Sequence, residues 1–250
     1  MFTFFKKSWS LTNFVHCAIA KKMNFSDEII DAISVDCVVF GFKHGILYAL
    51  LVKHGQGVTK GEWALPGSWV KYNEDIEASA YRILKAQTSV TKIYLEQFQT
   101  FGEVNRYPSK RVITISYYAL VNTEDIELHA GVTVSDAQWF DVRKLPKMAF
   151  DHRKILDKCF TFLKHKIQYE PIGFNLLPEK FTLLDLQELY EAILGKQLDK
   201  SNFRRKLTKM NLLVPCNEIQ QNVAHRAAKL FRFDKKVYDK LTEKGFSFEL

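Results

Sequence analysis

The chain has 250 residues, 47% hydrophobic and 26% charged, a composition that excludes disordered, collagen-like and disulfide-scaffold chains. At roughly 100–200 residues per domain this length favours two domains. The best apolar core run, Gly45 to Val52, is eight residues, far below the roughly 18 a spanning helix needs, so no membrane partner is expected. The net charge is +8, and twelve Lys and Arg against five Asp and Glu between Asp199 and Lys244 account for almost all of it. Net charge alone bears on solubility and non-specific attraction; a local excess marks a candidate surface for a phosphate-rich partner.

Met1 to Lys22 has lysines at 6 and 7 and an Ala18-Ile19-Ala20 run, but Ser8, Ser10, Thr12, Asn13 and His16 interrupt its apolar stretch. It reads as a disordered extension or an upstream start read in place of Met23, rather than as a secretory signal. Ser34 to Phe42 and Ile46 to Lys53 are apolar and β-branched and read as two paired strands across Lys43-His-Gly45. Trp63 to Val70 is rich in turn signals, with Pro66 and Gly67. Glu74 to Gln87 reads as a helix with Asn73 as N-cap and Glu74, Asp75 and Glu77 at its positive end. Further strands are expected over Ile93 to Phe101, Arg111 to Val121 and Gln138 to Val142, and a helix over Asp151 to Ile167. Cys17, Cys37, Cys159 and Cys216 form no CxxC pair, so buried free thiols in a reducing cytoplasm are expected, with no metal site and no cofactor.

Tyr169 to Pro178 is punctuated by proline and glycine and sets a boundary near residue 170. The division is then 1–22 as extension, 23–169 as one domain and 170–250 as another. Thr182 caps a helix that stops at Gly195, and Asp199 caps a second helix from Lys200 to Met210. Two short helices joined by a tight turn outline a helix-turn-helix. In the second, Phe203 and Leu207 point inwards, whereas Lys200, Ser201, Asn202, Arg204, Arg205 and Lys209 lie largely on the surface. Arginine can bond guanine edges in bidentate fashion, asparagine can read adenine and lysine neutralises phosphate, so these residues suit double-stranded DNA. Leu212 to Val214 and Lys229 to Phe233 read as a hairpin, with His225 and Arg226 in the segment between. A basic hairpin after a helix-turn-helix is a wing, and Arg226 and Lys229 are its DNA-contact candidates.

The segment from Pro66 to Val90 resembles the Nudix box, G-x5-E-x7-R-E-U-x-E-E-x-G-U, with U a bulky aliphatic. Ser68 takes the first glycine position, Glu74 the first glutamate, Arg82 the arginine, and Leu84 and Val90 the aliphatics. Trp63 to Gly67, Leu95 to Gly102, Arg106 with Pro108, Tyr117 to Leu120 and Leu145 to His152 extend the likeness across about residues 34 to 165. Together they resemble the Nudix-related transcriptional regulators of NrtR type and their sugar-responsive AraR-like relatives. Asp199 to Lys206 and His225 to Phe233 resemble the same family's C-terminal domain, with Ala227 where the family's wing often has proline.

The resemblance implies an α+β protein: a Nudix-like α/β/α sandwich with a mixed sheet, followed by a winged helix-turn-helix. It implies a homodimer on a palindromic operator, and a cleft that senses a small effector, either a pentose-like sugar or an ADP-ribose-like nucleotide. Trp63, Glu74 and Arg106 are candidates for lining that cleft; as plain residues they read as a core side chain, a helix-start residue and a loop charge. The departures bear on catalysis. A working box presents carboxylates on one helix face to hold Mg²⁺, which demands hard oxygen ligands. Here positions 83, 86 and 87 share a face but carry isoleucine, alanine and glutamine. No catalytic or metal-binding residue is therefore assigned. The alternative is a Nudix hydrolase of nucleoside-diphosphate-linked compounds with an accessory C-terminal domain.

Overall fold

The computed structural model describes residues 32–221, 226–244, 246 and 248. The expectations for residues 1–22, with Cys17, and for His225 lie outside the described residues. The N-terminal part is built on a seven-stranded mixed sheet of β1 (Ile33–Lys43), β2 (Ile46–His54), β3 (Trp63–Ala64), β4 (Gly67–Trp69), β5 (Glu96–Phe101), β6 (Ile113–Asn122) and β7 (Val134–Asp141). β1 is its axis. It runs parallel to β6 from Ile33↔Ile113 to Phe42↔Asn122, and antiparallel to β4 over Ser34 to Asp36 and to β2 over Phe40 to Lys43. The β1–β2 turn places His44 and Gly45 at φ 49° and 72°, the paired left-handed geometry of a tight hairpin, which glycine adopts without steric cost.

β1 is buried on both faces because a helix covers each. Val35, Cys37 and Val39 pack with Ala80, Ile83 and Leu84 of α1 (Ile76–Thr88). Val38, Phe40 and Phe42 pack with Ile155, Leu156, Cys159 and Leu163 of α2 (His152–Tyr169). Strand alternation thus makes two cores from one strand, and both faces are apolar, as the unbroken hydrophobic run implies. Cys37 and Cys159 are buried, unpaired thiols, and burial raises the pKa of each.

The α/β/α sandwich with a mixed sheet is present as expected, but several element bounds differ. α1 starts at Ile76 with Asp75 at its N-cap, not with Asn73. The Glu74 side chain is taken by the Lys71 amide and the Arg82 guanidinium instead of joining the helix. Trp63 to Val70, read as turns, contributes the two short strands β3 and β4. β5 begins at Glu96 rather than Ile93, and β7 begins at Val134 because it pairs with β2 as far as His54.

The connector from residue 170 forms a 3₁₀ helix, Pro171–Leu176, that buries Phe174 and Leu176. α3 (Leu183–Leu194) opens with a capping box, Thr182 accepting from the Asp185 amide and Asp185 from the Thr182 amide, and closes on Gly195 at φ 71°. α4 (Lys200–Met210) is capped by Asp199. The wing follows as β8 (Leu213–Ile219), longer than the sequence outlined, and β9 (Lys229–Phe233), with the expected bounds, and then α5 (Lys235–Thr242), which the sequence did not signal. Phe181 bonds to Phe231 through both backbone groups, and Phe174 stacks on Phe233 with centroids 4.2 Å apart. Leu186, Leu189, Tyr190 and Ile193 of α3 and Phe203 and Leu207 of α4 belong to the same buried cluster as α2 and β1. Among the described residues no helix is long and apolar enough to cross a membrane.

Tyr190 is fully buried against Phe203, and its hydroxyl has no partner among the described residues. An unpaired buried hydroxyl costs about 1–3 kcal/mol. Tyr190→Phe is therefore expected to hold or raise the melting temperature, whereas Tyr190→Ala should cost about 3–5 kcal/mol. Thermal unfolding of the two variants checks this; a large loss in Tyr190→Phe would show that the hydroxyl is bonded.

Candidate functional site

A cavity of about 450 Å³ opens where the polar end of β1 meets the start of α2, within the roughly 300–1,000 Å³ usual for small-molecule sites. Its origin is visible strand by strand. On the face of β1 that carries Val38 and Phe40 further along, the first residues are Ser34 and Asp36. Their parallel partners on β6 are Thr114 and Ser116, before Tyr118 and Leu120 restore apolar packing. Two adjacent strands thus change together from apolar to polar, and the core gives way to a cleft.

Asp36 is 4% exposed, and burial pushes its carboxyl above the usual range, against the pull of His152 and Arg106. His152 Nε2 stands 3.7 Å from Asp36 Oδ2. The Leu65 amide donates to His152 Nδ1 at 3.0 Å, which makes Nδ1 an acceptor and leaves the ring proton on Nε2. Arg106 donates to both Asp151 oxygens, at 3.0 and 2.7 Å, and to Thr114 Oγ1, which lies 2.6 Å from Ser34 Oγ. Asp151 precedes α2 but makes no side-chain cap there; its carboxylate is committed to Arg106. His54 lines the same cleft and bonds Thr59 Oγ1 through Nδ1 at 2.6 Å, and burial, followed by His152, lowers its pKa.

The other wall is aromatic. Tyr107 lies edge-on to Trp69 at 5.8 Å and against Phe150 at 4.7 Å, and Lys110 Nζ sits 4.5 Å over the Trp69 ring. Phe150 has φ 49°, a left-handed backbone that costs a bulky residue energy and is retained most often at functional sites. The cleft therefore pairs an aromatic wall of mutually inclined rings with a floor of hydroxyl, carboxyl and imidazole groups.

The box helix contributes differently. Ile83 is buried in the α1 core, Ala86 is exposed, and Gln87 bonds Gly67 twice: the Gly67 amide donates to Oε1 at 3.0 Å and Nε2 donates to the Gly67 carbonyl at 2.9 Å. Gln87 acts as a strap between α1 and β4. Gly67 has no room for a side chain, since a Cβ would lie 2.0 Å from Asp36 Oδ1. Glu74 accepts two bonds from Arg82 and one from the Lys71 amide, and Arg82 reaches the Trp69 carbonyl. The guanidinium holds the Glu74 carboxyl down to about 2. Among the described residues no group of three or more His, Cys, Asp or Glu is placed to hold a metal ion.

Of the three sequence candidates for effector contact, Arg106 lines the cavity and the other two lie outside its lining. Glu74 acts one layer back, fixing the loop after Trp69. Trp63 packs edge-on to Phe140 at 4.6 Å under Lys53. Asp36 and His152 are not among the sequence candidates, although a carboxylate at an inward position of an otherwise apolar strand is itself a signal.

The second surface is on α4. Phe203 and Leu207 face the core, as the spacing requires. Asn202, Arg205, Lys206 and Lys209 are exposed at i, i+3, i+4 and i+7, one stripe on the opposite side. Lys206 belongs to it but was not among the sequence candidates. Lys200 and Ser201 are exposed at the helix start. Arg205 Nη2 bonds Asn202 Oδ1 at 2.9 Å, which holds both side chains together on the surface. Arg204 is half-buried with its Nε out of solvent, so it does not share that stripe. In the wing, Arg226 and Lys229 are exposed.

Comparison with known proteins matches residues 31–159 to the NUDIX domain and residues 173–233 to the NrtR DNA-binding winged helix domain. The chain is 32% identical over 86% of its length, and 86% of the relative's, to the ADPR responsive transcriptional repressor NtrR of Acinetobacter baylyi. It is similar to Shewanella oneidensis NrtR complexed with a 27mer DNA, with TM-score 0.72, 28% identity and coverage of 86% of this chain and 97% of that one. It is also similar to the NUDIX domain of the same Shewanella protein complexed with ADP ribose, with TM-score 0.52, 26% identity and coverage of 59% and 97%.

Gln87→Glu restores the box residue but removes the Nε2 donor and sets a carboxylate against the Gly67 carbonyl. We expect a loss of about 1–3 kcal/mol, the cost of an unmet buried group, and no gain of Mg²⁺ affinity. Denaturation and a Mg²⁺ titration check both; a stable variant that binds Mg²⁺ would contradict the strap.

Proposed function

The chain belongs to the NrtR-type family of Nudix-related transcriptional regulators, and from that premise we propose that it is an ADP-ribose-responsive repressor whose Nudix domain binds its effector without hydrolysing it. The observation that carries this reading is the pairing of a nucleotide-sized cleft with a box helix whose carboxylate positions hold Ile83, Ala86 and the Gly67-bound Gln87. The aromatic wall of Trp69, Tyr107 and Phe150 suits a purine ring, and the polar floor suits sugar hydroxyls. A related NUDIX domain complexed with ADP ribose supports the choice of nucleotide over free pentose.

In this reading residues 23–169 form the sensor and 170–250 the reader, and Asn202, Arg205, Lys206 and Lys209 enter the major groove while Arg226 and Lys229 contact the backbone from the wing. Two copies of the chain present two reading helices to a palindromic operator, with half-sites one or two helical turns apart. The effector acts only if it binds the DNA-competent and DNA-incompetent arrangements with different affinity. Work on DNA and the buried free thiols Cys37 and Cys159 support a cytoplasmic location.

The test is fluorescence anisotropy on fragments upstream of the gene and its neighbours, at two salt concentrations, with ADP-ribose and a panel of pentoses. Selective binding relieved by ADP-ribose is expected; equal, salt-labile binding to every fragment would refute the regulator reading. Arg205→Ala should cost about 1–3 kcal/mol and relax preference at one position. Lys209→Ala should weaken all fragments alike and flatten the salt slope by about one. Wild-type affinity in both variants would remove α4 from the interface.

A further inference from the structure

Asp36 lines the cleft, yet among the described residues it accepts no hydrogen bond. A carboxyl at the floor of a cavity, facing an imidazole nitrogen beyond direct bonding distance, is set up to be completed by what binds there. We infer that Asp36, together with His152, is the specificity element of the cleft, taking a hydroxyl of the effector's non-adenine sugar and thereby distinguishing a ribose-bearing ligand from the diphosphate lacking it. This rests on the effector reading above and names the part of the ligand that selects it.

The geometry favours a hydroxyl. The 3.7 Å between His152 Nε2 and Asp36 Oδ2 is too long for a direct hydrogen bond. An oxygen seated in the cleft to the side of the pair can lie about 2.8 Å from each atom. His152 Nε2 carries the ring proton, because the Leu65 amide occupies Nδ1, and so donates; Asp36, when ionised, accepts. The bridging group must accept one bond and donate another, which a hydroxyl does and an ionised phosphate does not. Phosphate is further disfavoured at this end because the Arg106 charge is already paired with Asp151. The half-buried Ser34, whose hydroxyl is bonded to Thr114, is a small side chain on the wall that leaves room for a sugar ring. The aromatic wall of Trp69, Tyr107 and Phe150 provides a separate surface for the base.

Isothermal titration of ADP-ribose and ADP against wild type and Asp36→Asn tests this. Wild type should prefer ADP-ribose to ADP by about tenfold or more, since a site built around a hydroxyl rejects the analogue lacking it. Asp36→Asn should cut that preference to about threefold or less, by weakening ADP-ribose more than ADP. A variant that loses affinity for both ligands equally, with the preference intact, would place Asp36 against the adenine or in a purely structural role and overturn the inference. A wild-type protein that binds neither ligand would sink the effector reading itself. A second measurement needs no variant: ADP-ribose whose terminal sugar lacks its secondary hydroxyls should bind wild type about as weakly as ADP, and undiminished affinity would overturn the inference independently of any folding defect.

Discussion

β1 is buried on both faces, and the rest of the molecule is arranged around that constraint. A strand with apolar side chains on both sides needs a helix on each, and α1 and α2 supply them. The same strand changes character along its length. Its first inward residues, Ser34 and Asp36, sit beside Thr114 and Ser116 of β6, whereas Val38 and Phe40 further along sit beside Tyr118 and Leu120. Because β1 and β6 are parallel and in register, the polar ends coincide. The cleft is therefore a consequence of register, not an indentation added to a finished core.

α2 ties that cleft to the C-terminal part. Its start brings Asp151 and His152 to Arg106 and Asp36, and its length packs into the cluster that contains α3 and Phe203 of α4. Stacking of Phe174 on Phe233 and the backbone bonds between Phe181 and Phe231 hold the wing to the connector. Close packing transmits displacement because interiors resist compression. A ligand that moves the start of α2 thus acts on a body shared with the reading helix.

Much of this was legible in the sequence, and what was not has physical reasons. The strands β1 and β2, the helices α2, α3 and α4 and the caps Thr182, Gly195 and Asp199 follow from hydrophobic period and capping chemistry, which are local properties. The start of α1 was misplaced because Glu74 looks like a helix-start acid until its partner Arg82, eight residues on, is brought to it. Arg106 could be proposed for the cleft from its family context, but its bond to Asp151 depends on tertiary structure. Asp36 was visible as a charge inside an apolar run, and only the cavity gives that oddity a use. Gln87 could be read as a lost carboxylate; that it straps Gly67 required the fold.

In the function we propose, the box helix straps β4 through Gln87 instead of holding a metal, and the cleft binds the effector. The most direct measurement is the affinity of ADP-ribose for the full chain in EDTA and in Mg²⁺, with the nucleotide recovered and its integrity determined after prolonged incubation. The same affinity in both buffers and intact ADP-ribose at the end are expected. Binding that requires Mg²⁺, or conversion to AMP and ribose 5-phosphate that tracks the protein, would contradict it.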